Sequence, residues 1–75
     1  MIIIHMFDSS HAKVDVFDIR GKFETSLVNA EYAIGSHQIH WNGTSASGAE
    51  LPSGIYLVQL VTPSTTQVQR ISILR

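Results

Sequence analysis

Apolar and polar residues alternate along much of this chain, in short segments separated by turn-forming residues. In one segment, Val14 and Val16 face inward while Asp15 faces outward. A second segment, residues 37–41, alternates in the same way and ends on an inward-facing Trp41. A period of two residues is typical of half-buried β-strands. The pattern therefore predicts strands and turns, with no helix.

Other segments predict strands with different surroundings. Residues 2–7 are apolar at odd and even positions alike, which predicts a strand that is buried on both sides or paired with a partner. Residues 55–61 are almost continuously apolar, as is typical of a central strand covered on both faces. Residues 22–28 predict a strand with Phe23 and Leu27 facing the core, and residues 67–74 predict the last strand.

Glycine, proline and aspartate mark the connections. Asp18 and Gly21 are the first and last residues of a sequence typical of a type I turn. Residues 29–36 predict a loop that returns through Gly35. These connections fall at intervals that suit an antiparallel sheet.

The longest connection is a glycine-rich segment, residues 41–54, which we call the corner. Gly43, Gly48 and Gly54 each permit a positive φ that would strain other residues. Pro52 fixes φ just before the next strand and cannot take part in a ladder as a donor. The corner is therefore predicted to be a shaped connection between two strands.

About six or seven short strands with turns every 8–12 residues predict an all-β fold, an immunoglobulin-like antiparallel β-sandwich. Trp41 and Tyr56 share the inward parity of their strands and are expected to pack in its core. Residues 1–75 make one domain, which we expect to be the C-terminal part of a larger secreted protein. A domain this short buries only roughly 60% of its unfolded surface, so its stability is expected to be marginal.

Composition excludes several classes of protein. The chain is 44% hydrophobic and 15% charged, which is too apolar for a disordered segment. Its net charge of -1 offers no electrostatic attraction for nucleic acid or anionic lipid. It has no cysteine, which removes disulfides, thiolate metal sites and cysteine nucleophiles. We expect neither nucleic-acid binding nor membrane insertion.

The residues that could carry chemistry do not form a recognisable set. His37 and His40 are three residues apart on a strand, so their side chains should point to opposite faces. The carboxylates are scattered, the serines lie in turns, and no nucleophile elbow, phosphate-binding loop or calcium loop is present. We therefore expect no catalytic residue, no metal, no cofactor and no enzymatic activity.

Three segments, taken in order, resemble known families. They are Val-x-Val-Phe-Asp-x-x-Gly at 14–21, Gly-x-His-x-x-x-Trp-Asn-Gly at 35–43 and Pro-x-Gly-x-Tyr at 52–56, followed by a last strand that ends in a basic residue. This order resembles the type A C-terminal sorting domain of Bacteroidetes proteins exported by the type IX (Por) secretion system. Its middle part is equally similar to the immunoglobulin-like domain of the flagellar hook-capping protein family. The first resemblance departs from its pattern in lacking an Asn-Pro turn and in having Asn42 where aspartate is usual.

The resemblance to sorting domains implies a function. Such a domain acts as a secretion signal that directs an attached N-terminal cargo domain across the outer membrane. Its partner is the type IX outer-membrane machinery, and it is found secreted or at the cell surface after transit through the periplasm. On this hypothesis Arg70 and Arg75 of the last strand carry recognition, with Pro52 and Gly54 holding the geometry of the corner. Asp18, Gly21, Trp41, Gly43 and Tyr56 are expected to have structural roles.

Two other functions stay open at this point. One is a structural Ig-like module of the hook-capping type. The other is a carbohydrate-binding accessory module in which Trp41 is exposed as a stacking platform. The apolar first strand also predicts association, with a homodimer or a strand swap through Ile2-Ile3-Ile4 as the leading expectation.

Overall fold

The computed structural model describes residues 2–75, which form six strands in two antiparallel sheets. The strands are β1 (Ile2–Met6), β2 (Ser10–Asp18), β3 (Phe23–Tyr32), β4 (Gly35–Ile39), β5 (Gly54–Val61) and β6 (Thr66–Ile73). One sheet pairs β1 with β4, and the other has the order β3-β2-β5-β6. No helix long and apolar enough to cross a membrane occurs in this part of the chain. The predicted all-β, immunoglobulin-like sandwich is confirmed.

The core lies between the two sheets and is closed at one end by the corner. The buried apolar residues are Ile2, Ile4, Met6, Ala12, Val14, Val16, Ile39, Leu51, Tyr56, Val58 and Leu60. Val14, Val16 and Val58 are fully buried on the two central strands of the larger sheet. Burying each such side chain stabilises the fold by about 1.5–3 kcal/mol before the entropy of ordering it is subtracted.

β1 is covered on one face only, which corrects the prediction for residues 2–7. Its residues alternate between buried and exposed, and Ile3 is 47% exposed. The reason is that a two-stranded sheet packed on the core has its other face in solvent. The strand also finds its partner within the chain, since Ile2 pairs with Ile39 and Met6 with Gly35.

β5 is central, as predicted, but it too is covered on one face. Tyr56, Val58 and Leu60 are buried, whereas Ile55 and Val61 at the two ends are exposed on the outward face of the sheet. The sequence pattern alone does not distinguish the apolar residues of this outward face from those of the core.

β3 differs most from the prediction. It runs to Tyr32 and so includes part of the predicted loop 29–36. Phe23 is 49% exposed on the outward face, where its ring meets the edge of Phe17 at a centroid distance of 6.0 Å. The pairing of β2 with β3 shifts twice, so the parity of β3 changes along its length. Thr25, opposite Val16, takes the inward position instead.

The turn between β2 and β3 is held by Asp18. Its Oδ1 accepts hydrogen bonds from the backbone N–H groups of Arg20 and Lys22, both at 2.9 Å. The N–H of Gly21 donates to the Asp18 carbonyl at 3.0 Å, and Gly21 has a φ of 90°. This is a type I turn continued by a glycine in the left-handed region, a common three- to four-residue hairpin connection.

The Asp18 turn predicts a dependence of stability on pH. The hydrogen bond from Lys22 N–H is the largest influence and lowers the pKa of Asp18 below its ordinary value of 3.8; desolvation opposes it, and the Arg20 N–H bond adds to it. Because the pKa is depressed by folding, the stabilisation is complete above pH 3.8 and is lost as the pH falls through the folded pKa. We expect Asp18→Asn to flatten the dependence of the free energy of unfolding on pH in that acidic range. Denaturant titrations of both proteins at neutral and acidic pH measure it, and equal slopes would contradict the assignment.

Candidate functional site

The corner folds back on itself as a small hairpin between β4 and β5. Ser45 N–H donates to the Ala49 carbonyl at 2.8 Å, and Gly48 N–H donates to the Ser45 carbonyl at 2.9 Å. Leu51 N–H donates to the Gly43 carbonyl at 2.9 Å, which closes the base of the hairpin. Leu51 is buried, so the returning strand of the hairpin is anchored in the core.

Two of the three corner glycines have the positive φ expected of them. Gly43 has a φ of 77° and Gly48 a φ of 89°. Gly54 does not have a positive φ, because it is already the first residue of β5 and pairs with Ile73. Gly43 is also closely packed, since a Cβ there would lie 2.7 Å from Nη2 of Arg75.

Trp41 and Tyr56 bind the corner to the core. Trp41 lies beyond the end of β4, is half-buried, and donates from Nε1 to the Thr44 carbonyl at 3.0 Å. Its ring meets the Tyr56 ring edge-to-face at a centroid distance of 6.2 Å. The Tyr56 hydroxyl donates to the Pro52 carbonyl at 2.7 Å, in the manner of the tyrosine corner of immunoglobulin folds. Both aromatic side chains therefore satisfy backbone oxygens of the same connection.

Two open depressions flank Trp41. One, of about 520 Å³, lies toward β6 and Arg75, and the other, of about 570 Å³, lies toward β3. Between them the indole packs edge-to-face with Tyr56, and its N–H is bonded inside the corner. The position of Trp41 thus favours its structural role over sugar stacking.

The side chain of Arg75 is hydrogen-bonded within the corner. Its Nε donates to the Leu51 carbonyl at 2.5 Å, and its Nη2 donates to the Gly43 carbonyl at 2.7 Å. Its Nη1 lies 3.5 Å from the Glu50 carboxylate. The Arg75 backbone N–H donates to the Ser53 hydroxyl at 2.8 Å. The planar guanidinium fits this role because its donors diverge in fixed directions.

The residues predicted for recognition do not form one site. Pro52 and Gly54 lie exposed at the corner near Arg75, at the end of the sandwich. Arg70 lies opposite Leu57 on the outward face of β6, and no ion pair or side-chain hydrogen bond engages it within residues 2–75. The sequence does not predict the hydrogen bonds of Arg75 to the corner, because the carbonyls that it binds come together only once the corner has folded.

The titratable side chains are dispersed. Within the described part of the chain, no group of three or more histidine, aspartate or glutamate side chains is close enough to hold a metal ion. His5 is bonded to Ser36, and His37 to the Ala33 carbonyl, at 2.8 and 2.7 Å. These contacts link neighbouring segments of the fold.

Comparison with known proteins assigns the chain to a family. The family model described as the FlgD Ig-like domain matches residues 7–66, four fifths of the chain, and spans β2 to β5 together with the corner. No curated protein and no solved structure matches the chain. The match covers Trp41, Gly43 and Tyr56, the residues around which the corner is built. The chain therefore belongs to the FlgD Ig-like domain family.

Proposed function

We propose that this chain is a non-catalytic structural module, an Ig-like domain that forms a compact folded part of a larger secreted or surface protein. The observation that carries the proposal is the closure of the corner. Its carbonyl oxygens at Gly43, Leu51 and Pro52 are all bonded to side chains of the same domain. A connection whose polar groups are satisfied internally supports a role in maintaining shape.

A second candidate function is a sorting signal for type IX secretion. One observation favours it. Arg70 stands exposed on the last strand without an engaged partner among residues 2–75, and it is the residue to which the basic position of sorting domains corresponds. On this proposal the domain is recognised by the outer-membrane machinery, and its cargo is secreted or retained on the cell surface.

One export experiment separates the two functions. Residues 1–75 are fused behind a periplasmic signal peptide and a reporter in a Bacteroidetes host, with and without a functional type IX system. The structural proposal expects the reporter to remain in the periplasm of both strains. Secretion that requires the type IX system would overturn it and establish the sorting signal.

Arg70→Ala is the variant to pair with that fusion. It leaves the corner intact, so a loss of export reports on recognition and not on folding. Deletion of residues 69–75 is a poor substitute, because it removes most of the inward face of β6 together with the Arg75 contacts. Export that continues with Arg70→Ala would assign recognition to another part of the surface.

A further inference from the structure

The two sheets of the sandwich are unequal, and β6 extends beyond the smaller one. Ile4 of β1 and Val58 of β5 line the same cavity of about 70 Å³, so β1 lies over β5. β4 is on the side of β3, because His40, directly after β4, and Leu27 of β3 line a common depression. Within residues 2–75, no strand lies beside β1 on the side of β6. The inward face of β6 is therefore only partly covered.

The inward side chains of β6 change from polar to apolar along the strand. They are Gln67, Gln69, Ile71 and Ile73, and we call the space between them and the edge of β1 the side groove. Ile71 and Ile73 are half-buried beside the depression of about 520 Å³. Nε2 of Gln67 is buried and has no hydrogen-bond partner within residues 2–75. The side groove therefore combines apolar surface with a donor that needs an acceptor.

The backbone edges that frame the side groove are open to pairing. The Ile3 carbonyl accepts a hydrogen bond from Gln69 Nε2 at 3.3 Å, so it points away from β4 and into the groove. Both backbone groups of a residue in an antiparallel pair point to the same side, so the Ile3 N–H does too. Neither β1 nor β6 contains a proline, a lysine or a carboxylate, the features that usually protect an edge. By contrast, β3 at the other end of the larger sheet has two register shifts and carries Glu24 and Glu31.

We propose that β6 of a second copy of this chain fills the side groove and pairs with β1, in a twofold homodimer in which each copy does the same for the other. A twofold axis that runs between the two layers, parallel to β6, relates the copies. The smaller sheet of each copy then continues into the larger sheet of the other, which gives two six-stranded sheets of order β4-β1-β6-β5-β2-β3. The added pairing is antiparallel. β1 and β6 run in opposite directions, since Ile2 and Ile71 line one depression whereas Ile4 and Gln67 line the next.

The shape of the sandwich identifies the occupant as a second copy. β6 protrudes by one strand beyond β1, and the open place beside β1 is one strand wide. The protruding strand of one copy therefore fits the open place of the other, and the twofold axis keeps its inward face turned inward. The side chains match as well. Ile71 and Ile73 meet their apolar counterparts, and glutamine amides carry both a donor and an acceptor, so that Gln67 Nε2 gains an acceptor from the second copy.

Sedimentation equilibrium of the 75-residue chain over a wide concentration range tests the proposal. The twofold axis brings the two copies of Gln69 close to each other inside the groove, so Gln69→Lys and Gln69→Glu should each raise the Kd at least about tenfold through like-charge repulsion. An equimolar mixture of the two variants should recover the dimer, because opposite charges then meet. Val68→Lys is the matched control. Val68 is the neighbouring residue on the outward face of β6, and its substitution should change the Kd by less than about threefold.

Ile3→Pro tests the strand pairing itself. It removes the N–H that is directed into the side groove and leaves the hydrogen bonds between β1 and β4 in place. The monomer should stay folded, whereas the Kd should rise at least about tenfold. In the wild type, hydrogen exchange at the Ile3 N–H should slow as the concentration rises, because this group becomes bonded only in the dimer.

Each variant is first shown to be folded by circular dichroism. If Ile3→Pro does not fold, the two Gln69 variants and their mixture decide, since Gln69 is exposed in the single chain. A folded wild-type chain that remains monomeric up to about 1 mM would overturn the proposal. So would a dimer that both Gln69 variants leave unchanged. A dimer that Val68→Lys abolishes would also overturn it, because the interface would then lie on the outward face of the larger sheet.

Discussion

Trp41→Ala should lower the free energy of unfolding by about 3 kcal/mol, at the lower end of the range for large aromatic residues because the side chain is half-buried. The substitution removes the packing on Tyr56 and leaves the Thr44 carbonyl without its indole donor. Small domains have little stability in reserve, so we expect a large unfolded fraction at physiological temperature. Denaturant titration followed by far-UV circular dichroism measures the effect without depending on tryptophan fluorescence.

Trp41→Phe is the matched control for this prediction. It keeps an aromatic ring against Tyr56 but removes the N–H donor to Thr44, so its stability should lie between those of the wild type and Trp41→Ala. The wild-type fluorescence should be blue-shifted, as is typical of a shielded indole. Red-shifted, fully quenchable emission together with an Ala variant as stable as the wild type would instead favour a sugar-binding platform.

Periodicity was sufficient where a strand lies in the middle of the larger sheet. Val14 and Val16 are fully buried, and β5 is flanked by two strands, as the sequence pattern predicts. In these strands the inward positions follow the alternation, although Asp15, at an outward position of β2, is buried as well. The corner was also predictable as a connection, because its glycines and Pro52 are local signals that need no knowledge of the rest of the fold.

Periodicity did not predict burial correctly where strand pairing is irregular, or where an apolar face of a sheet is exposed to solvent. Phe23 was expected in the core, but the register shifts between β2 and β3 place it outward, and a shift of this kind is not visible in the residue order. Ile3 and Ile55 are apolar and outward-facing, so hydrophobicity alone assigned them to a core that they do not enter. Whether such a face is covered depends on neighbours that a single sequence does not specify.

Arg75→Ala should lower the free energy of unfolding by about 2–3 kcal/mol, because its guanidinium bonds two carbonyls of the corner. Hydrogen bonds from a charged donor contribute about 1.5–3 kcal/mol each when their loss leaves acceptors unsatisfied. The Leu51 carbonyl loses its guanidinium donor, and the Gly43 carbonyl loses one of its two donors and keeps the bond from Leu51 N–H, while water can replace part of the lost interaction at a half-buried site. The corner should loosen, and hydrogen exchange at Leu51 N–H should accelerate because its acceptor is the same Gly43 carbonyl.

Arg70→Ala is the matched control for Arg75→Ala, because it also removes an arginine side chain but leaves the contacts of the corner unchanged. Its effect should stay within about 0.5 kcal/mol. Arg75→Lys should recover only part of the stability, because one ammonium group cannot reach both carbonyls in the directions that the planar guanidinium uses. If Arg70→Ala and Arg75→Ala change the free energy of unfolding equally, the guanidinium of Arg75 does not stabilise the corner. The closure of the corner would then depend on Trp41 and Tyr56 alone.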